Sequence, residues 1–129
     1  MNSRYIISTT VAPIYKEPSF LSEMITQGLI WEKIFILEKY NNWNYIKMED
    51  GYIGWIHQFY IEETNDVYSE TVMITERHAE VYLDYQNTGS RLSVLSFGSV
   101  LPYLESKTDY CKILLNSNTA GYIAKQNSI

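Results

Sequence analysis

Three kinds of side chain in this sequence could do chemistry. Glu17 and Glu23 stand six positions apart in "KEPSFLSEM", close enough for a short loop to bring two carboxylates together. Cys111 in "YCKIL" is the single thiol. His57 and His78 are the two imidazoles, each without another metal-binding residue type at ligand spacing. A carboxylate pair can hold a cation, as an oppositely charged hydrogen-bond partner, or can be two solvated loop charges. A nucleophilic cysteine needs a base beside it and a setting that lowers its pKa. "YCKIL" has the composition of a strand, where a cysteine serves as a small core hydrophobe. The residues therefore favour binding over catalysis, and they imply no metal and no cofactor.

A second feature is "DGYIGWI", Asp50 to Ile56, with two glycines, an acid and two large aromatics. It reads either as a ligand site or as a turn followed by a buried strand. Asp-Gly supplies the positive φ values of a tight hairpin. Glycine inside the return strand marks a bend, a bulge or a close backbone approach at Gly54. Strand alternation then predicts that Trp55 faces the core. Tyr52, just past the turn, is left over as a candidate for contact with a ligand.

These residues need elements to position them, and the elements read as strands. "WEKIFILEKY" is an apolar run of strand formers, "NN" a turn, "WNYIKM" an alternating strand, "EDG" a hairpin and "YIGWI" its return. Gln58 to Ile61 reads as one helical turn, and "PSFLSEMITQ" as the place for a single amphipathic turn after Pro18. The chain also repeats itself. Ala12, Trp43 and Gly54 recur as Ala79, Tyr110 and Gly121, at one offset of 67 (79 − 12, 110 − 43, 121 − 54). Trp31 matches Phe97 at 66 (97 − 31), which predicts one extra residue in the second copy. Two all-β domains follow, 1–64 and 65–129, joined through the polar stretch Glu62 to Glu70.

Bulk properties agree with a folded chain. Of 129 residues 46% are apolar, and the formal net charge is −5. No run of Lys or Arg suggests nucleic acid or an anionic membrane surface. No stretch approaches the roughly 18 apolar residues of a membrane helix. The N-terminal residues lack a continuous apolar core of the signal-peptide kind, so the chain as given is expected to be cytoplasmic. Twelve tyrosines and three tryptophans are many for this length. Tyr15, Trp31, Trp43, Tyr45, Tyr52, Trp55, Phe59 and Tyr60 cannot all be core in a unit of this size, so some line a groove or an interface.

The motifs "EPS" then "SEMITQ", an apolar strand ending in "LE", a Trp after a polar turn and "DGYIGWI" together resemble the first bacterial SH3-like domain that precedes NlpC-type cell-wall cysteine peptidases. The likeness runs from Ala12 to about Glu62. From Val72 to Ile123 the chain resembles the second SH3-like domain of that architecture, through "AEVY", "LPYLE" and "GYIA". The resemblance implies two tandem, partly open SH3-like β-barrels without catalysis of their own, the Cys-His catalytic domain being absent from this chain. It implies a role in recognising peptidoglycan stem peptides or in docking to an NlpC-type peptidase. In such proteins the cleaved bond joins γ-D-glutamate to a diamino acid, and the first SH3-like domain walls the site that receives the peptide's free N-terminal L-alanine. On this resemblance Tyr52 is the motif tyrosine and Glu23 the loop acid, with Glu17 and Tyr15 beside them as ligand-binding candidates. Two alternatives stay open: a fragment of an endopeptidase, and a stand-alone regulator of one.

Overall fold

The computed structural model describes residues 4–64, 68, 70–83, 91–106, 109–116 and 119–125. The chain divides into two compact units, Met1–Asn65 and Asp66–Ile129. Both are all-β, and among the described residues there is no α-helix.

The first unit contains β1 (Arg4–Ile7), β2 (Val11–Tyr15), β3 (Met24–Leu29), β4 (Lys33–Tyr40), β5 (Trp43–Met48), β6 (Ile53–His57) and β7 (Ile61–Thr64), with a 3-10 turn at Gln58–Tyr60. The strands form one antiparallel sheet in the order β3-β2-β6-β5-β4-β1-β7, open at both ends rather than closed into a barrel. Its reversals occur where the residues permit them. Asn41 takes a φ of 54° between β4 and β5, a left-handed conformation that asparagine tolerates. Gly51 takes 98° between β5 and β6, as the Asp-Gly pair requires. The inward positions are Ile7, Ala12, Ile14, Ile34, Ile46, Met48 and Ile56. Burying each large aliphatic contributes about 1.5–3 kcal/mol, and this cluster is the main source of the unit's stability.

The second unit contains β8 (Thr71–Met73), β9 (His78–Tyr82), β10 (Arg91–Ser96), β11 (Val100–Ser106), β12 (Tyr110–Asn116) and β13 (Thr119–Ala124), in the order β10-β9-β13-β12-β11-β8. Its pairing reproduces the first unit residue for residue at the offset of 67. Ile46 pairs with Gly54, and Ile113 with Gly121. Tyr15 pairs with Trp55, and Tyr82 with Tyr122. Even the bulge between Ile36 and Glu38 recurs between Tyr103 and Glu105. The core recurs too: Ile74, Ala79, Val81, Leu101, Ile113, Leu115 and Ile123 are all buried.

Four sequence expectations change. The match of Trp31 to Phe97 is wrong, and no residue is inserted there. The Trp31 N–H bonds the Ile7 carbonyl at 2.8 Å and the Gly98 N–H bonds the Ile74 carbonyl at 2.8 Å, so Gly98 is the counterpart of Trp31. Both are left-handed, with φ of 70° and 89°; backbone hand, not ring type, is what the two places share. Trp55 is not core. The phase of β6 is set by Gly54 and Ile56, which point inward, and Trp55 lies half-buried on the outer face with its ring 5.0 Å from that of Tyr45. The turn after Pro18 is confined to Ser19–Ser22, where the Ser22 N–H donates to the Ser19 carbonyl at 3.2 Å, because Met24 onward is drawn into β3 by its pairing with β2. Finally, Glu62 to Thr64 are not linker: they pair with β1 as part of β7. The remainder of that joining stretch lies mostly outside the described residues.

Candidate functional site

The acids sit on the loop between β2 and β3, residues 16–23. The loop is tied to itself. The Lys16 N–H donates to the Glu23 carbonyl at 2.8 Å, closing the base. The Ser22 hydroxyl contacts the Ser19 carbonyl at 2.8 Å and the Glu17 carbonyl at 3.1 Å, and accepts the Glu17 N–H at 3.2 Å. Ser19 Oγ accepts the Leu21 N–H at 3.1 Å. Serine side chains that satisfy nearby backbone groups in this way replace a helix or ladder as the local order. Glu17 and Glu23 are both exposed at the ends of this loop. Their carboxylates keep full access to solvent and to any cation that arrives.

Tyr15 leads into the loop, and its ring begins an aromatic cluster on the outer face of the sheet. It lies edge-on to Phe20 at 5.7 Å and to Trp43 at 5.8 Å. Phe20 packs on Trp43 at 4.7 Å and on His57 at 5.3 Å, and Trp43 meets His57 at 5.3 Å. Cross-strand register explains the meeting, since Trp43 pairs with His57 directly. His57 Nδ1 accepts the Phe59 N–H at 3.1 Å, capping the 3-10 turn. A neutral imidazole that accepts at Nδ1 carries its proton on Nε2. Phe20 was not among the sequence candidates, and His57 was weighed there only as a metal ligand. The signal available for them was an aromatic residue inside a polar loop, "EPSFLSE", opposite a histidine at a strand end.

Tyr52 stands apart from this cluster. It is 50% exposed, with its N–H on Asp50 Oδ1 at 3.2 Å and its carbonyl accepting the Met48 N–H at 2.9 Å. It precedes Trp55, the partner of Tyr15, by three residues, about 10 Å along an extended strand. Because β2 and β6 are antiparallel, the chain leaving Tyr15 heads toward the Tyr52 end of β6. The structure thus brings Tyr15, Glu17 and Glu23 together on one loop and its root. Tyr52 lies outside that loop, in the turn that precedes β6. Gly54 is what lets β6 approach β2 this closely: a Cβ there would lie 2.9 Å from the Tyr15 carbonyl oxygen and 2.7 Å from Ile14 Cγ2.

In the second unit the sequence has Thr119, Asp84 and Ser90 at the offset of 67 from Tyr52, Glu17 and Glu23; Asp84 and Ser90 lie outside the described residues. Tyr82, the counterpart of Tyr15, donates its hydroxyl to Glu80, and Arg91 meets the same carboxylate at 3.1 Å. The Tyr82 bond, followed by that of Arg91, holds the Glu80 carboxyl below its ordinary value, and the bond to Glu80 pushes the Tyr82 phenol up, opposed by the charge of Arg91. The position of His57 is Ala124, and that of Trp43 is Tyr110. Cys111 is buried on β12, turned inward with Ile113, as its strand context predicts. His78 is exposed on β9. No group of three or more His, Cys, Asp or Glu among the described residues could hold a metal ion.

Comparisons with known proteins agree with this geometry. Residues 14–58 match the family described as the bacterial dipeptidyl-peptidase Sh3 domain, a span that includes Tyr15, Glu17, Glu23 and Tyr52. No curated protein sequence matches. Among solved structures, an NlpC/P60 family protein from Bacillus cereus ATCC 10987 is similar over 98% of this chain and 55% of its own, at 16% identity and a TM-score of 0.79. That likeness establishes a shared fold. NlpC2 and NlpC1 from Trichomonas vaginalis are similar at 16% identity over 99% of this chain and 48% and 46% of theirs, with TM-scores of 0.40. The chain spans about half the length of each of these proteins.

Proposed function

We propose that this chain, whose residues 14–58 form a bacterial dipeptidyl-peptidase-type Sh3 domain, is the non-catalytic recognition module of a cell-wall peptidase, and that its first unit receives the amine end of a peptidoglycan stem peptide. The observation that carries the reading is the placement of exposed acids, Glu17 and Glu23, on the loop that follows the half-buried Tyr15 in the first unit. A free ammonium group would meet the Glu23 carboxylate. The peptide would then run along the face toward Tyr52, whose ring and hydroxyl offer one apolar and one polar contact. Chemistry on the peptide would come from a separate catalytic domain. The NlpC/P60 protein of like fold, nearly twice as long as this chain, supports such a division of labour.

The test is calorimetric titration of the chain with the tripeptide L-alanyl-γ-D-glutamyl-diaminopimelate and with its N-acetylated form. The free-amine peptide should bind more tightly. Because Glu23 is exposed, its charged hydrogen bond is set at the low end of the usual range, about 1.5 kcal/mol, so Glu23→Ala should weaken free-amine binding about tenfold and leave the acetylated peptide alone. Tyr52→Ala should weaken both. Equal affinity for the two peptides, or binding of neither, would refute the amine-recognition role.

A further inference from the structure

The acids of the β2–β3 loop can select an amine only if the loop is held in one place relative to the sheet. Its hydrogen bonds do not do this. The bonds of Lys16, Ser19 and Ser22 close the loop upon itself, and among the described residues none of them reaches β4, β5 or β6. Beyond the end of the β2–β3 ladder at Lys16 and Glu23, the ring contacts that tie the loop to β5 and β6 are made by Phe20. Phe20 lies on the indole of Trp43 and, tilted only 33° from parallel, on the imidazole of His57.

The other half of this contact is rigid. Trp43 is 9% exposed and is paired across the ladder with His57. The His57 ring is fixed by its Nδ1 bond to the Phe59 N–H. Phe20 itself is 52% exposed and Leu21 beside it 97%, so the loop tip is not core and the fold does not depend on it. The second unit makes the same point independently. It keeps the β5–β6 register of the first in its β12–β13 pair but has Tyr110 and Ala124 where the first has Trp43 and His57, so that pairing has no structural need of the same aromatic clasp.

We propose that Phe20, seated on Trp43 and His57, is a positioning residue that fixes the acid-bearing loop over the outer face and thereby sets the preference of the site for a free amine over a blocked one. The inference rests on the reading that Glu23 meets the peptide's amine. Phe20 itself touches no charge. Without it the loop keeps its internal bonds and its acids, but it samples many positions above the sheet, and an ammonium group no longer meets Glu23 at a fixed place. The cost falls on discrimination more than on overall affinity.

The experiment uses the whole chain and two readouts. The first is amide hydrogen exchange at Lys16, whose N–H closes the loop base on Glu23. The second is the ratio of dissociation constants for the N-acetylated and free-amine forms of L-alanyl-γ-D-glutamyl-diaminopimelate. Phe20→Ala should speed Lys16 exchange about tenfold and lower the ratio at least threefold, with the cooperative unfolding transition retained. Phe20→Tyr, which keeps the ring, should restore both. Phe35→Ala, which removes a ring of similar exposure from β4, should change neither. A ratio above one that Phe20→Ala leaves unchanged, or Lys16 exchange unaffected by it, overturns this inference and leaves the amine reading standing. A wild-type ratio of one overturns the amine reading and this inference with it.

Discussion

Replacing Gly54 by alanine is the sharpest perturbation of the scaffold under the site. The new methyl would stand 2.7 Å from Ile14 Cγ2, 2.9 Å from the Tyr15 carbonyl oxygen and 3.2 Å from Ile25 Cδ1. Ordinary carbon contacts lie near 3.5–4.0 Å. Ile25 is partly exposed and can turn aside, but Ile14 is fully buried and the Tyr15 oxygen belongs to a backbone paired on both sides. Overpacking of this kind costs about 1–3 kcal/mol. Against it stands a gain of about 0.4–1 kcal/mol from restricting the unfolded chain. The net is a loss of about 1–2 kcal/mol. All three tryptophans, Trp31, Trp43 and Trp55, belong to the first unit, so their fluorescence reports on it. With a urea slope near the small-domain value of about 1 kcal/mol/M, the midpoint should fall by about 1–2 M. The control is Gly51→Asn, at a turn with nothing within 4 Å of a new Cβ, and it should shift the midpoint less. A midpoint for Gly54→Ala at or above that of the wild type would refute the argument that close approach of β6 to β2 is what glycine provides here.

Two further outcomes follow from the packing and the charges. Ile56→Ala should destabilise the first unit by about 2–5 kcal/mol, whereas Trp55→Ala, which removes an outer-face ring paired with Tyr45, should cost about 0.5–1.5 kcal/mol; chemical denaturation of the two variants orders them. Burial, followed by the nearby charges of Asp50 and Glu49, raises the Glu32 carboxyl above its ordinary value, although its bond from the Leu29 N–H opposes this. The folded state then holds the proton more tightly than the unfolded one, so the contribution is full below the ordinary carboxylate range and is lost as pH rises through the raised value. Glu32→Gln should remove that pH dependence, which denaturation at a series of pH values from 4 to 7 would detect as a flatter profile.

The fold was legible because its signals are local and its strands repeat. Asp50-Gly51 and Asn41-Asn42 mark hairpins by backbone preference alone, and the runs beside them have strand composition. The offset of 67 was visible at Gly54 and Gly121 because both places face a neighbouring backbone and admit no side chain. It failed at Trp31 because what matters there is a left-handed φ, which tryptophan here adopts and glycine adopts freely; matching rings pointed one residue away. The inward phase of β6 misled for a related reason. A buried glycine presents no apolar side chain, so Gly54 does not announce itself as an inward position, and Trp55 seemed the better core residue. Of the site, the acids and Tyr52 could be named from type and motif. The contact of Phe20 with His57 could not, because it depends on a loop folding back across three strands, and no spacing in the sequence encodes that.

The two units together separate what the scaffold requires from what the site requires. Positions whose side chains point inward change little between them: Ile7 and Ile74, Ala12 and Ala79, Ile46 and Ile113, Ile56 and Ile123. Positions on the outer face change in kind. Met24, Tyr45 and Ile53 become Arg91, Lys112 and Ala120 across the offset, Tyr52, in the turn before β6, becomes Thr119, and the ring pair of Tyr45 with Trp55 becomes Lys112 Nζ set 5.9 Å from the centre of the Tyr122 ring. The second unit shows that charged and small residues suffice for stability and are better solvated. The second unit keeps exposed apolar residues of its own, Phe97 and Leu104 among them, but at the places of Tyr45 and Ile53 its paired strands do without a large apolar side chain, so folding alone does not explain those two. Exposed apolar surface that the fold does not need is surface kept for contact. That surface supports the proposal that recognition lies on the first unit; in the second, Tyr82 and Arg91 both contact Glu80.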